Sequence, residues 1–591
     1  MSVNSYKIDE KSEKVSKRNT LLRLYKYMLE YRWQIVVVIV IMFITIGITV
    51  YNPLLIEMAI DDYIKKSDIS GLIKIGMFGI GINIIFAVLV KIRMYFMAKM
   101  SNEILLTVRQ ELYTHIQKLS FNFFDSRPIG KILSRIMGDV NSLKNLLTES
   151  VTSLIPNFFT LVAVLAIMFV RDYRLALASL ISLPILLIFT MFVQSKAHKL
   201  WQSFFKKISN MNAFVHEYLS GIRVVKSFTA ENELEKEFVK THGEINNSFI
   251  LACAIGNSVW HSIDICWMLG LASLYFTGIN IIGIDNISVG TLIAFSTYLA
   301  MFWSPLISLS NFYNNLVTNI AGAERIFEVL DIKPEIEDSI DAYKMPEIDG
   351  NVEFRNVTFA YDDLNDVLND VSFYINSGET VALVGPTGAG KTTIINLLSR
   401  FYEVESGGIY IDGHDVRNIT LESLRSQLGI MTQENFLFSG TIRENIRYGR
   451  LDATDDEVEK AAKAVNAHEF IMKTEKGYDT ELKEKGNGLS IGQRQLLALA
   501  RTMVSDPRIL ILDEATSSID THTEILVQKG IEELLKDRTS FIIAHRLSTI
   551  QKADRIFVID NYGIEEEGTI EELLEKKGVY YNMHMAQFKN I

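Results

Sequence analysis

Hydrophobic positions divide the chain into two halves of different character. Residues 33–317 carry long apolar runs, whereas residues 351–591 mix charged residues with glycine-containing turns. An apolar helix needs about 20 residues to cross the roughly 30 Å hydrocarbon core of a bilayer. Several runs of that length in one half predict membrane spans rather than buried core helices. The six predicted spans are residues 33–58, 69–96, 149–170, 173–194, 250–282 and 288–315.

The positions of lysine and arginine predict the orientation of these spans. Basic residues are concentrated before the first span and in the connections after the second and fourth spans. The "GIDNIS" loop after the fifth span has none. Because basic loops stay on the cytoplasmic side, we expect both termini to be cytoplasmic and the protein to be a multi-pass protein of the cell membrane. The polar, basic residues 1–32 show no signal-peptide pattern.

The two long cytoplasmic connections are predicted to be helical. Each has helical periodicity and few turn residues, as in "NEILLTVRQELYTHIQKL". Helices of ~50 residues, rising about 1.5 Å per residue, would carry the spans ~30–40 Å beyond the membrane and back. We therefore expect the tips of these connections to contact another part of the protein.

The second half contains a candidate phosphate-binding loop. A strand is predicted from the alternation in "VEFRNVTFAY", and a buried strand over 381–384 precedes the segment "GPTGAGKT", which matches G-x-x-x-x-G-K-[ST]. Glycines let backbone N–H groups curl around phosphate oxygens at the start of a helix. Lys391 is expected to reach the β- and γ-phosphates of a nucleotide, and Thr392 to bind Mg²⁺. The flanking strand and helix argue against a chance match.

Two further segments place charged or titratable residues at strand ends. In "RILILDEATSSID", a buried strand over Ile509–Leu512 is predicted to end in Asp513 and Glu514. An acid at this place can hold Mg²⁺, and the next carboxylate can act as general base toward water. In "FIIAHRLST", an apolar strand ends at His545, which gains a functional meaning only with the other motifs. Downstream of a phosphate-binding loop, these features favour nucleotide hydrolysis over a structural role.

Together these motifs resemble the ATP-binding cassette (ABC) transporter family. Residues 351–591 are similar to its nucleotide-binding domain, and the whole chain resembles an exporter half-transporter. The implied fold is a membrane α-helical domain of six helices (type IV exporter-like) followed by an α/β P-loop domain. In the membrane half, "FFDSRPIGKILSRIMGDVNSLKN" and "EYLSGIRVVKSFTAENE" resemble the coupling-helix regions of such exporters.

The resemblance implies ATP and Mg²⁺ as cofactors and assigns roles to individual residues. Tyr361 is the aromatic that stacks on adenine, Gln433 senses the γ-phosphate and ligates the metal, and His545 is the switch histidine. Asp520 lies in the loop that crosses the dimer. Thr392 and Asp513 are the other metal ligands, and Glu514 and Lys391 complete the catalytic set. The implied nucleotide-binding residues are Tyr361, Gly385, Pro386, Thr387, Gly388, Ala389, Gly390, Lys391, Thr392, Thr393, Ser490, Gly492 and Gln493.

The segment "LSIGQRQ", residues 489–495, resembles the family signature Leu-Ser-Gly-Gly-Gln with Ile491 in place of the first glycine. The resemblance implies that two cassettes pair head to tail, so that Ser490 and Gly492 of one chain contact the ATP held by the other. Isoleucine restricts the close backbone approach that glycine permits. Since the chain's own hydrolytic set is complete, this predicts a heterodimer with a second ABC half-transporter and two unequal ATP sites. A homodimer that tolerates isoleucine is the alternative.

The fifth predicted span carries a polar and aromatic face. Asn257, Trp260, His261, Asp264 and Trp267 recur at spacings of three and four residues, which places them on one face of a helix. Asp264 lies roughly 27 Å from the outer end of the span, where a charge should face a watery cavity or a partner. Two interpretations are open. The last four residues line a cavity for cationic or aromatic substrates, or they make structural polar contacts between helices.

These observations predict four segments: a cytoplasmic segment 1–32, a transmembrane domain 33–317, a linker 318–350 and a nucleotide-binding domain 351–591. The predicted function is ATP-driven efflux of small amphipathic or hydrophobic compounds, multidrug or lipid-like, across the plasma membrane, with membrane lipid as a further partner. A homodimeric lipid or peptide exporter is the alternative. An importer is disfavoured because the membrane domain precedes the cassette.

Composition excludes several other classes. The net charge of −11 provides no basic surface for nucleic acid, and the spans argue against a soluble ABC ATPase of the DNA-repair or ribosome type. The two cysteines, Cys253 and Cys266, argue against a disulfide framework or a zinc site. A nucleotide-gated channel is the class that composition does not exclude, because a sequence does not reveal whether ions can pass through the protein.

Overall fold

The computed structural model describes residues 17–283, 286–361, 366–432, 435–513, 520–544 and 550–588. These residues form two compact units. Residues up to 114, together with 130–331, form a helical unit. Residues 115–129 and those from 332 onward form an α/β unit.

Long helices dominate the first part of the chain. They are α1 (Lys17–Leu29), α2 (Arg32–Met58), α3 (Ile69–Lys118), α4 (Phe121–Asp125), α5 (Ile129–Ser134), α6 (Val140–Glu149), α7 (Ile155–Arg171), α8 (Tyr173–Ser179), α9 (Leu183–Ser220), α10 (Ile222–Ser227), α11 (Glu231–Phe276) and α12 (Val289–Leu330). The helices α3, α9 and α11 each run on past the apolar stretch, which confirms that the long connections are helical.

Among the described residues, five helical stretches are long and apolar enough to cross a membrane. The first five predicted spans lie within these stretches. The sixth falls on α12, whose described apolar part is the shorter stretch Val289–Trp303. The five long stretches are Arg32–Ile64, Ile69–Lys118, Ile129–Arg171, Tyr173–Ser220 and Glu231–Gly283.

The core of the helical unit is built around α12. Phe295, Tyr298 and Phe302 lie on one side of this helix and are almost fully buried against α2, α7 and α11. The Tyr298 hydroxyl donates to the backbone carbonyl of Val50 on α2 at 2.8 Å. The phenol is therefore hydrogen-bonded inside the apolar core, where an unpartnered hydroxyl would be costly.

A polar cluster joins the ends of α2 and α7 to the start of α12. The buried carboxylate of Glu57 accepts hydrogen bonds from Arg171 and, at 2.8 Å, from the hydroxyl of Thr291. One turn further along, Asp61 accepts from the backbone N–H of Gly290 at 3.1 Å. Paired in this way, a buried carboxylate avoids the large cost of an unpartnered charge. The cluster therefore fixes where these three helices meet.

The α/β unit contains three sheets. Its strands are β1 (Val352–Ala360), β2 (Asp366–Ile375), β3 (Thr380–Val384), β4 (Ser406–Ile411), β5 (His414–Asp415), β6 (Leu428–Met431), β7 (Gly440–Thr441), β8 (Glu481–Leu482), β9 (Ile509–Asp513), β10 (Thr539–Ile543), β11 (Arg555–Asp560) and β12 (Gly563–Gly568). The described strand orders are β2-β1-β4-β5, β12-β11-β3-β10-β9-β6 and β7-β8. The strands predicted from the alternation after Val352 and from the two buried apolar runs are confirmed as β1, β3 and β9.

Helices cover the larger sheet. They are α13 (Lys391–Leu398), α14 (Leu421–Arg425), α15 (Ile442–Arg447), α16 (Asp455–Ala464), α17 (His468–Met472), α18 (Ile491–Ser505), α19 (Thr521–Leu535), α20 (Ile570–Lys576) and α21 (Val579–Phe588). Four of them, α15, α16, α18 and α20, begin with a reciprocal capping box, in which the side chains of residues N-cap and N3 bond each other's backbone N–H. Such boxes define helix starts locally.

Parallel pairing sets the position of the functional loops. Strands β11, β3, β10, β9 and β6 are parallel neighbours, and β3 is buried at every residue. A parallel strand covered on both faces is expected to be continuously apolar, as "TVALV" is. The carboxyl ends of these strands lie at one edge of the sheet, and ligands of α/β proteins bind at that edge.

Candidate functional site

The loop between β3 and α13 contains glycines that a side chain could not replace. Gly385 has φ +153°, Gly388 has φ +88° and Gly390 has φ +104°. A Cβ on Gly385 would collide with the carbonyl oxygen of Ile559 on the neighbouring strand β11. Because glycine alone combines this conformation with this close approach, the loop can turn tightly directly before the start of α13. Such an arrangement fits phosphate.

Lys391, the first residue of α13, is buried beside this loop. Its ammonium donates to the backbone carbonyls of Gly385 and Pro386, each at 2.7 Å. Burial lowers the pKa of this ammonium below its ordinary value, and the negative charge of Asp513 opposes that effect. The lysine therefore brings a positive charge to the loop. The next side chain, Thr392, is exposed, whereas Thr393 is buried.

Strand ends bring an acid and two neighbouring loops to this edge. Asp513 is the last residue of β9, two strands away from β3 in the sheet. Strands β6 and β10 end at Met431 and Ile543, two residues before the predicted site residues Gln433 and His545. The exposed hydroxyl of Thr392 and the carboxylate of Asp513 are oxygen donors of the kind that Mg²⁺ prefers.

Three of the predicted catalytic residues, Gln433, Glu514 and His545, lie outside the described residues. Of the predicted loop set, Pro386, Thr387 and Gly388 are exposed, while Ala389 is half-buried.

Tyr361 stands beside this loop at the end of β1. The residue is 44 % exposed. Its hydroxyl lies 3.2 Å from the hydroxyl of Thr393 and accepts from the side-chain amide of Asn396 at 3.3 Å. Both partners belong to α13, the helix that follows the phosphate-binding loop. The tyrosine is thus attached to that helix while part of its ring stays open to a ligand.

The signature segment forms the start of α18. Ser490 is the N-cap: its hydroxyl accepts from the backbone N–H of Gln493 at 3.2 Å, and the Gln493 side chain accepts from the Ser490 N–H at 2.9 Å. Gly492 is buried, whereas Ile491, the first residue of the helix, is 43 % exposed. Ile491 is not among the residues with positive φ. Isoleucine is therefore compatible with this backbone, and only its bulk distinguishes it from glycine.

Asp520 caps the next helix, α19. Its carboxylate accepts from the backbone N–H of Thr523 at 2.9 Å. This hydrogen bond holds the pKa of Asp520 below its ordinary value. The carboxylate is therefore charged at neutral pH.

The substrate residues predicted in the helical unit lie on α11. His261 and Asp264 are exposed, and Trp267 is half-buried with an indole N–H that has no hydrogen-bond partner among the described residues. The side chain of Trp260 lies outside the described part. The exposed histidine and aspartate agree with a surface that meets something other than the chain's own core.

Sequence reasoning missed two residues near the site. Arg501 on α18 donates to the backbone carbonyls of Asn445 and Phe436, both at 2.9 Å, and so connects the signature helix to a segment that starts shortly after Gln433. Tyr402 packs against Tyr361 with ring centroids 5.0 Å apart. The aromatic pair "FY" that follows α13 was the available signal, but no local pattern says what such a pair contacts.

An α/β unit with a phosphate-binding loop, preceded by apolar helices long enough to cross a membrane, defines a membrane-embedded transport ATPase. The chain belongs to the ABC transporter family: the family model for the ABC transporter transmembrane region matches residues 35–306, and the model described as ABC transporter matches residues 368–517. It is an exporter half-transporter that uses ATP with Mg²⁺, and exporters of this class work as dimers.

Individual relatives cover nearly the whole chain. The uncharacterized ABC transporter ATP-binding protein YfiC of Bacillus subtilis (strain 168) is 39% identical over 97% of this chain and 95% of its own length. A putative multidrug export ATP-binding/permease protein of Staphylococcus aureus (strain NCTC 8325 / PS 47) is 37% identical over 96% and 99%. The ATP-dependent lipid A-core flippase of Syntrophus aciditrophicus (strain SB) is 39% identical over 83% and 82%.

A solved structure has the same architecture. The structure of a bacterial Atm1-family ABC exporter with ATP bound superposes with a TM-score of 0.76 at 28% identity, covering 94% of this chain and 98% of that one. The predicted fold class, a type IV exporter-like helical domain followed by a P-loop domain, is confirmed.

Proposed function

We propose that this half-transporter exports amphipathic or hydrophobic compounds, multidrug or lipid-like, across the cell membrane. Two relatives named as a multidrug export protein and a lipid A-core flippase support this substrate class. His261 and Asp264 are exposed polar residues on the otherwise apolar part of α11. They support a substrate-cavity wall that contacts polar or cationic groups of the exported compound. The basic connections support cytoplasmic termini. The change between apolar and polar composition along the chain supports the segment boundaries at 32, 317 and 350.

We further propose residue roles for ATP hydrolysis. Lys391 and the loop N–H groups hold the phosphates, and Thr392 and Asp513 hold Mg²⁺ together with Gln433. When bound, the metal offsets phosphate charge during the attack of water. Glu514 takes the proton of that water, and His545 contacts the γ-phosphate. The geometry that supports these roles is the common sheet edge shared by β3, β9 and β10.

The partner is proposed to be a different half-transporter. The observation that carries this proposal is the side chain of Ile491, exposed beside the Ser490 cap at the start of α18. A helix start offers N–H groups to an anion from outside its own chain, and a bulky side chain there hinders close approach of a phosphate. The ATP site that this segment completes is therefore expected to hydrolyse slowly. The ordinary backbone of Ile491 favours the homodimeric lipid or peptide exporter as the second candidate.

The test is to purify the chain expressed alone and reconstitute it in liposomes. ATP hydrolysis, accumulation of ethidium and translocation of a fluorescent phosphatidylethanolamine are measured together with ionic conductance. Weak hydrolysis alone, restored by a co-expressed second half-transporter, supports the heterodimer. Full transport by the chain alone, with two equivalent hydrolysing sites on vanadate trapping, contradicts it. Conductance without solute accumulation or lipid translocation contradicts the exporter and favours a channel.

A further inference from the structure

The short helix α4 belongs to the α/β unit although it follows the long helix α3. The ring of Phe121 packs on Phe401 with centroids 4.5 Å apart. Glu335 accepts hydrogen bonds from Ser120 and Asn122, each at 3.0 Å. An aromatic contact and two charge-assisted hydrogen bonds hold α4 in a fixed place on this unit.

Tyr402 contacts both α4 and Tyr361, the proposed adenine-stacking residue. Its hydroxyl donates to the carboxylate of Asp125, the last residue of α4. Its ring meets the ring of Tyr361 edge to face, with centroids 5.0 Å apart and planes at 89°. Phe359 packs against both rings, with its centroid 4.9 Å from that of Tyr361 and 5.7 Å from that of Tyr402. The side chain of Tyr402 therefore connects the proposed adenine-stacking residue to the end of α4.

The surroundings of Tyr402 restrict the movement of its side chain. Tyr402 is partly buried, and burial together with the hydrogen bond to Asp125 raises the pKa of its phenol above the ordinary value. The phenol is therefore protonated at any physiological pH and remains a donor. Tyr361 is in turn attached to α13 through Thr393 and Asn396. A change in the Tyr361 ring on nucleotide stacking would press directly on the Tyr402 ring, because packed aromatic rings have few alternative rotamers.

We propose that Tyr402 is a positioning residue that transmits nucleotide occupancy at Tyr361 to α4. The ring supplies the contact on the nucleotide side, and the hydroxyl supplies the contact on the α4 side. This inference rests on the proposed role of Tyr361 as the adenine-stacking residue.

The two contacts are separable by substitution. Tyr402→Phe keeps the ring and removes the hydrogen bond to Asp125, whereas Tyr402→Leu removes both. Asp125→Leu removes the acceptor without changing any residue next to Tyr361. Tyr374→Phe is the matched control, because its hydroxyl donates instead to Asn351 at 3.1 Å, away from α4.

The full-length protein in nanodiscs is measured in two ways: binding of trinitrophenyl-ATP, and hydrogen exchange of the backbone amides of α4 with and without ATP plus vanadate. In the wild type and in Tyr374→Phe we expect nucleotide to slow exchange in α4 about five-fold or more. In Tyr402→Phe and Asp125→Leu we expect a response below about two-fold with a nucleotide Kd within about two-fold of wild type. Tyr402→Leu should also raise the Kd about five-fold.

Each other outcome contradicts a defined statement. A wild-type response of α4 in Tyr402→Phe and Asp125→Leu overturns the inference, as does its loss in the Tyr374→Phe control. An unchanged Kd in Tyr402→Leu overturns the role of the ring. A wild-type protein that binds trinitrophenyl-ATP without any response in α4 also overturns the inference. A wild-type protein that does not bind trinitrophenyl-ATP contradicts the proposed function itself.

Discussion

The ammonium of Lys391 donates to the carbonyl oxygen of Gly385 at 2.7 Å, so that the lysine lies folded against the loop from which its helix begins. We expect Lys391→Ala to lower ATP hydrolysis about 10²–10³-fold, because loss of one preorganised charge next to developing phosphate charge costs about that much in rate. Phosphate release from purified protein measures the effect. Lys460→Ala, which removes an exposed lysine on α16, should change the rate less than about two-fold. Near-normal hydrolysis in Lys391→Ala would contradict the assignment of this loop.

Glu514→Gln tests the general base. An amide cannot accept the proton of the attacking water, and loss of a general base costs about 10²–10⁴-fold in rate. We expect steady-state turnover to disappear while ATP binding persists. Hydrolysis and trinitrophenyl-ATP binding are measured side by side, with Glu565→Gln on β12 as the control for loss of an exposed carboxylate. A variant that retains more than about a tenth of wild-type turnover would show that another group accepts the proton.

Ile491→Gly tests the unequal ATP sites. Removal of the exposed side chain lets a phosphate approach the start of α18 more closely, so hydrolysis at the slow site should rise about ten-fold. The measurement is vanadate-trapped nucleotide per dimer, made with the co-expressed partner. Ile525→Gly, at an exposed position on α19, controls for the helix-destabilising effect of glycine. No increase in trapping would remove the reason for proposing a slow site.

Asp264→Asn tests the substrate wall on α11. The charge is lost while the size of the side chain is kept, so stimulation of hydrolysis by cationic compounds should fall about five-fold relative to neutral ones. Basal hydrolysis should stay within about two-fold of wild type. Stimulation curves with ethidium and with a neutral dye measure the preference, and Asp62→Asn in the π-helical segment Ala59–Ile64 that continues α2 is the control. Loss of expression or of basal activity without a changed preference would favour a structural contact.

Gly290→Ala tests the polar cluster at the start of α12. A Cβ at this position would lie 2.8 Å from the carbonyl oxygen of Glu57 and closer still to the carboxylate of Asp61. We expect a destabilisation of about 1–3 kcal/mol, typical of overpacking, seen as a lower apparent Tm in detergent. Gly81→Ala on α3, where no atom lies within 4 Å of the added carbon, should leave the Tm unchanged or slightly higher. Equal behaviour of the two variants would show that the helices adjust at no cost.

The parts of the site that depend on neighbouring residues could be predicted from the sequence. "GPTGAGKT" between a buried strand and a helix defines the phosphate-binding loop because glycine conformation and helix start are local properties. The Ser490–Gln493 capping box of α18 is local for the same reason. The predicted strand ending in Asp513 is confirmed. The roles of Gln433, Glu514 and His545 stay predictions.

Sequence alone thus determined the class of protein, because span length, strand pattern and loop spacing each depend on a few neighbouring residues. Only the tertiary structure decided which distant residues meet. Tyr402 contacts Asp125 from 277 positions away, and Glu57 accepts from Thr291 across 234. No periodicity encodes such pairs, since they depend on how packed elements close loops of hundreds of residues. The strand order that brings β3, β10 and β9 side by side is of the same kind, because parallel pairing joins segments that are far apart in the chain.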